Sequence, residues 1–162
     1  MGQRLELITG KVGHTLWQLQ TLEGVLATFF VLVVQAEQGM GSADAETKLN
    51  SALGGTFGST IRKLIEAQKM PEAFKSRFGH LRDERNWLVH HSRSDSYVAV
   101  GSDRGCSDLI DRLDAIANEA TLLLNAVSNE AETFVQRHCV STEGIDELVK
   151  KTLDNWYGEN EL

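Results

Sequence analysis

A single proline, Pro71, stands in the 162 residues of this chain, and its 14 glycines gather at a few places. Proline removes a backbone donor and clashes with the preceding turn, so its scarcity permits long uninterrupted helices. The apolar residues use that freedom. Leu16, Leu19, Leu22, Leu26, Phe29, Phe30 and Val33 recur at steps of three and four, which predicts a central helix from about His14 to Gln38. The same spacing, through Leu109, Ile110, Leu113, Ile116, Ala120, Leu123, Leu124, Val127 and Phe134, predicts a long helix from Ser107 to about Arg137. The runs rich in β-branched residues, Val31 to Val34 and Tyr97 to Val100, are too short and too irregularly placed for a sandwich or barrel.

Between the two long helices the punctuation is local. Gly39-Met-Gly-Ser-Ala-Asp marks a break, with Ser42 or Asp44 as a side-chain cap for a helix from Ala45 to Leu53. Gly54-Gly55 forms a kink or loop before a further piece from Phe57 to Met70. Pro71 suits the first turn of a helix reaching Ser92, where its missing N–H costs nothing. Arg93 to Gly105, rich in serine, aspartate and glycine, reads as a candidate functional loop with an extended piece at Tyr97 to Val100. Thr142 opens a final short helix carrying Ile145, Leu148, Val149, Leu153 and Trp156. The expected fold is all-α: a mostly antiparallel bundle of four to five helices in one domain over residues 1–162.

Composition narrows the setting. Two cysteines, Cys106 and Cys139, are too few for a disulfide framework, and no basic stretch followed by an apolar core opens the chain. Met1-Gly2 is not followed by serine or threonine at position 6, where Glu6 stands instead. The apolar stretch Leu22 to Val34 is broken by Glu23, Gly24 and Thr28, and its 13 residues fall short of the roughly 20 that span a bilayer. A core helix, no membrane association and a reduced, cytoplasmic location are therefore expected. Net charge is −7, which weighs against a uniformly basic nucleic-acid-coating face. Residues 62–104, however, carry nine Lys/Arg against six Asp/Glu, a local +3 that leaves −10 on the rest.

The helix after Pro71 contains the anomaly. At about 100° per residue, Phe74, Phe78, Leu81 and Leu88 fall within about 80° of arc, and Arg85 lies in the middle of it. A guanidinium on a core-facing stripe is costly unless a carboxylate or a phosphate meets its donors. On one reading Arg85 reaches a bundle acid such as Glu23 and clamps the fold. On the other it serves chemistry. Asn86 and His90 are four residues apart and share a face, Arg82 and Arg93 extend that polar row by a turn either way, and His91 lies on another side. Imidazole is the group that exchanges protons near neutral pH, and arginine can grip a phosphate bidentately and stabilise its developing charge. Such a set suits phosphodiester cleavage.

The segment Arg82-Asp-Glu-Arg-Asn-Trp-Leu-Val-His-His91 resembles the signature of the HEPN family: an arginine, here Arg85, a polar residue directly after it, here Asn86, and a histidine after four to six intervening positions. The resemblance implies a homodimeric helical bundle with two copies of the motif facing one cleft. It also implies a metal-independent endoribonuclease of toxin or antiphage type, in which the 2′-hydroxyl attacks the adjacent phosphate and leaves a cyclic phosphate. By position, Arg85 would hold the scissile phosphate, His90 would be the acid and base, and Asn86 would orient one or the other. His91 takes the role of His90 if the spacing is counted to the second histidine. Arg82 and Arg93 would contact RNA. A nucleotidyltransferase-type antitoxin is a candidate partner, although Ser92 stands where members under such control often carry a tyrosine, and Tyr97 is too far along to match. The alternatives are a catalytically inactive HEPN-like module that binds a nucleotide, RNA or protein, and an unrelated helical interaction module.

No cofactor or metal is expected. Cys106 and His138-Cys139 lack paired-ligand spacing, and no Cys-x-x-Cys or His-Glu-x-x-His occurs. Gly54-Gly55-Thr-Phe-Gly58 lacks the Lys-Ser/Thr of a phosphate-cradling loop.

Overall fold

The computed structural model describes residues 2–37 and 39–138. The three-and-four spacing does yield a central helix, over a longer span than its apolar residues mark. Helix α1 runs Gly2–Phe30, and its N-terminal extension adds Ile8 to the core. At Phe30 it widens into a π turn, Val31–Gln35, closed by the Ala36 N–H donating to the Val31 carbonyl at 2.8 Å. That one wide turn keeps both Val31 and Val33 buried. Taken as one helix, Gly2–Gln35 has 34 residues and a stretch of mean hydropathy 1.5, so by length and composition it is long and apolar enough to cross a membrane. The helix is longer than the 13 residues weighed from the sequence, and the core helix of a soluble protein passes the same test of length and composition. Of that stretch, 44% is buried inside the structure.

Helix α2 spans Ser42–Leu53 and α3 spans Phe57–Glu66. The expected capping of α2 by Ser42 or Asp44 is not what occurs: Gly41 holds the cap position without a side-chain bond, and Ser42 is already helical. Asp44 instead places a carboxylate in the positive first turn. Thr56 caps α3, its hydroxyl accepting from the Ser59 N–H at 3.2 Å. The predicted run to Met70 stops at Glu66, because Gln68 turns left-handed at φ 55°. Its N–H donates to the Ile65 carbonyl (3.0 Å) and that of Lys69 to the Leu64 carbonyl (2.9 Å). This is the Schellman closure, with glutamine where glycine is the usual residue.

Helix α4, Glu72–His90, starts directly after Pro71, which holds the cap position rather than the first turn expected for it. The segment expected to be a loop with an extended piece is helical instead: α5 covers Ser92–Ala99. Its serines explain the difference. The buried Ser92 hydroxyl donates to the Leu88 carbonyl and the buried Ser96 hydroxyl to the Ser92 carbonyl, so both satisfy themselves within helical turns. Helix α6, Asp103–Arg137, begins earlier than Ser107 because the Ser102 hydroxyl accepts from the Gly105 N–H at 3.0 Å. The described residues are thus all-α, with six helices where four to five were expected. The helix predicted from Thr142 lies outside the described residues. Contacts group the chain up to Ala131 into one compact unit, within which the features below lie.

Helix α1 touches α2, α3, α4 and α5. Leu19, Leu22 and Leu26 from α1, Leu64 from α3, Phe78 and Leu81 from α4, and Leu113 and Leu123 from α6 are fully buried. Phe78 is met edge-on by Phe57 and Phe74, at centroid distances of 6.1 and 6.5 Å. Thr15, also fully buried, donates to the Lys11 carbonyl at 2.8 Å and sits 3.2 Å from the Leu113 carbonyl of α6. Two substitutions test this account in urea titrations. Phe78→Ala should cost about 3–5 kcal/mol. Gln68→Gly should stabilise by about 1 kcal/mol, by relieving the left-handed penalty; a lower midpoint would contradict the turn described.

Candidate functional site

Helix α4 carries apolar residues on one side and the motif on the others. Phe78, Leu81 and Leu88 are buried, and Arg85, on the same stripe, is half-buried. Arg82, Asn86 and His90 form an exposed row, with the stem of Arg82 lying across Gly58 of α3. His91 closes α4 with φ −124° and ψ −20°, and its ring centroid lies 6.4 Å from that of His90. Arg93 is exposed on α5. The predicted residues therefore gather around the α4–α5 junction but do not share one face. At about 100° per residue, Arg85 and His90 lie about 140° apart around α4, so a single copy directs them differently.

Three arginines join α4 to its neighbours, and they are bound differently. Arg77 engages Glu119 of α6 through both Nε (2.6 Å) and Nη2 (3.1 Å). The hydrogen bond to Glu119 raises its pKa above the usual arginine value, burial opposes this, and the charge of Glu119 supports it. Arg112 of α6 engages Glu84 of α4 in the same two-point way, at 2.9 and 3.2 Å. Arg85 is held at a single point, Nε to Glu23 Oε1 of α1 at 3.0 Å. Among the described residues its two terminal nitrogens have no hydrogen-bond partner. The clamp to Glu23 anticipated from the sequence is thus present, and it uses the inner edge of the guanidinium alone.

Sequence reasoning missed the support around the motif. The Trp87 indole N–H donates to Asp95 Oδ2 of α5 at 2.8 Å, while the Arg112 guanidinium lies 3.4 Å from the centre of its ring. Trp87 therefore fixes α5 and α6 around the end of α4. Arg112 comes from a distant helix, and no local spacing announces it.

Glu23 also lines a cavity of about 220 Å³ between α1 and the α2–α3 turn, together with Gln20, Gly24, Ala27, Phe57 and Thr60 among others. A larger groove, about 620 Å³, follows the N-terminal half of α1 past Leu7, Gly10 and His14 and includes none of the motif residues. Among the described residues no cluster of three or more His, Cys, Asp or Glu side chains is arranged to hold a metal ion.

Comparisons with protein-family models, with curated proteins and with solved structures return no match to this chain.

The Arg85–Glu23 pair keeps contact with water, its side chains being 31% and 25% exposed. Its coupling should therefore be about 1 kcal/mol rather than the several of a fully buried pair. A double-mutant cycle of Arg85→Ala with Glu23→Gln, read by denaturant unfolding, measures it; a coupling of zero would mean the contact contributes nothing to the fold.

Proposed function

We propose that this chain is a metal-independent endoribonuclease of the HEPN type, working as a homodimer in which two copies of α4 face one RNA strand. The observation that carries the reading is the contrast among the arginines. Arg77 and Arg112 spend two nitrogens each on carboxylates, whereas Arg85 offers its outer edge, half-exposed, beside a row of exposed polar side chains. Two parallel N–H groups on that edge match two phosphate oxygens.

In the proposed reaction the 2′-oxygen forms a bond to phosphorus and the bond from phosphorus to the 5′-oxygen breaks. The proton of the 2′-hydroxyl passes to an imidazole, and a proton is delivered to the leaving 5′-oxygen. His90 is assigned the proton transfers, with His91 as the alternative, and Arg85 the phosphate and its developing charge. Asn86 orients the phosphate or His90, and Arg82 and Arg93 meet flanking phosphates. Because Arg85 and His90 diverge around α4, the reading needs the second copy to complete the site. A nucleotidyltransferase-type antitoxin and a cytoplasmic location belong to the same proposal. A catalytically silent nucleotide- or RNA-binding module is the second reading, favoured by the closed ion pair at Arg85.

Purified protein should cut single-stranded RNA in EDTA and leave 2′,3′-cyclic phosphate and 5′-hydroxyl ends. His90→Ala or His91→Ala should lower the rate by about 100-fold or more with the helical circular dichroism unchanged. Undiminished cleavage in both variants would reject the assignment.

A further inference from the structure

Gly24 lies within α1, about two turns before its end, where glycine is unfavourable by about 1 kcal/mol relative to alanine. Close packing does not require it: a Cβ built there meets nothing within 4 Å. The missing side chain instead leaves part of the 220 Å³ cavity open. Ala27 and Phe57 give that cavity an apolar surface, and Gln20, Glu23 and Thr60 supply polar groups. One oxygen of Glu23 is bound to Arg85, and the other has no hydrogen-bond partner among the described residues.

We infer that this cavity receives a nucleobase bearing an exocyclic amino group, the base of the nucleotide whose phosphate Arg85 holds. The inference rests on the phosphate-binding role proposed for Arg85. Three observations support it. Glu23 both lines the cavity and pairs with Arg85, and in a nucleotide one sugar joins base and phosphate, so the two subsites must be neighbours. The volume falls below the roughly 300–1,000 Å³ of sites that enclose whole ligands, which suits a base with its sugar and phosphate outside. A carboxylate oxygen accepts hydrogen bonds and donates none, so it is matched by the exocyclic amino groups of adenine, cytosine and guanine and opposed by the two carbonyls that flank the single N–H of uracil.

The test has two arms, because a free mononucleotide and an RNA strand present the same chemistry. In calorimetry, the 5′-monophosphates of adenosine, cytidine and guanosine should bind the full-length protein about tenfold more tightly than that of uridine. Gly24→Leu should abolish this binding while holding or raising the thermal midpoint, since it fills open space and improves the helix. Glu23→Gln should shrink the preference over uridine, a ratio that a uniform loss of phosphate affinity does not alter. Equal binding of all four, or full binding by Gly24→Leu, overturns the inference. In the second arm, wild type and Gly24→Leu are given RNA of mixed sequence. If both cut equally fast at every base and His90→Ala does not cut, the cavity proposal falls and the nuclease reading stands. If the mononucleotides bind as described and no RNA is cut, the nuclease reading falls and the cavity stands.

Discussion

The position of α4 depends on the exchange of carboxylates and guanidinium groups along its flanks. Its apolar stripe sets which side faces the core, but an apolar contact is tolerant of sliding and rotation. The bidentate pairs Arg77–Glu119 and Glu84–Arg112 are not, since each fixes two distances at once. They bind α4 to α6 at two points seven residues apart, about two helical turns. The helix end that carries the motif is thereby presented from a fixed support, and Trp87, between Asp95 and Arg112, extends the support to α5.

Against that rigid background the single bond of Arg85 acquires meaning. A flexible arginine loses conformational freedom whenever it grips a ligand; one already anchored through Nε has lost much of it in folding. Glu23 also keeps the charge compensated while no anion is present. The same pair that clamps α1 to α4 can in this way hold the guanidinium ready, so the structural and the chemical reading of Arg85 do not exclude each other.

Most of the helical architecture was legible, because three-and-four periodicity reports directly on which residues a helix buries. The boundaries failed where single residues decided them: the Ser102 hydroxyl starting α6 early, the left-handed backbone of Gln68 ending α3 early, the Ser92 and Ser96 hydroxyls turning an expected loop into α5. Serine-rich composition favours loops on average, and the balance tips only once those hydroxyls are buried. The cluster around Arg85 was readable because residues on one helix have fixed angular relations, and Glu23 was a natural partner on the central helix. Arg112, Glu119 and the cavity at Gly24 depend on how separate helices lie against each other, which no local pattern encodes.

The partners of α1 also set an order of events. Arg4, Lys11 and Thr15 meet residues of α5–α6 that follow them by 96 to 103 positions. At about 5–20 residues per second, synthesis delivers those partners several seconds or more after α1 itself. During that interval α1, the most apolar of the described helices, has only α2 to α5 to cover it as they emerge, and chaperones, other nascent chains and lipid surfaces compete for the face that α6 will meet. A message cut short before α6 would leave Lys11 and Thr15 without those partners. The order of synthesis thus leaves the long-range partners of α1 to the last of the described helices.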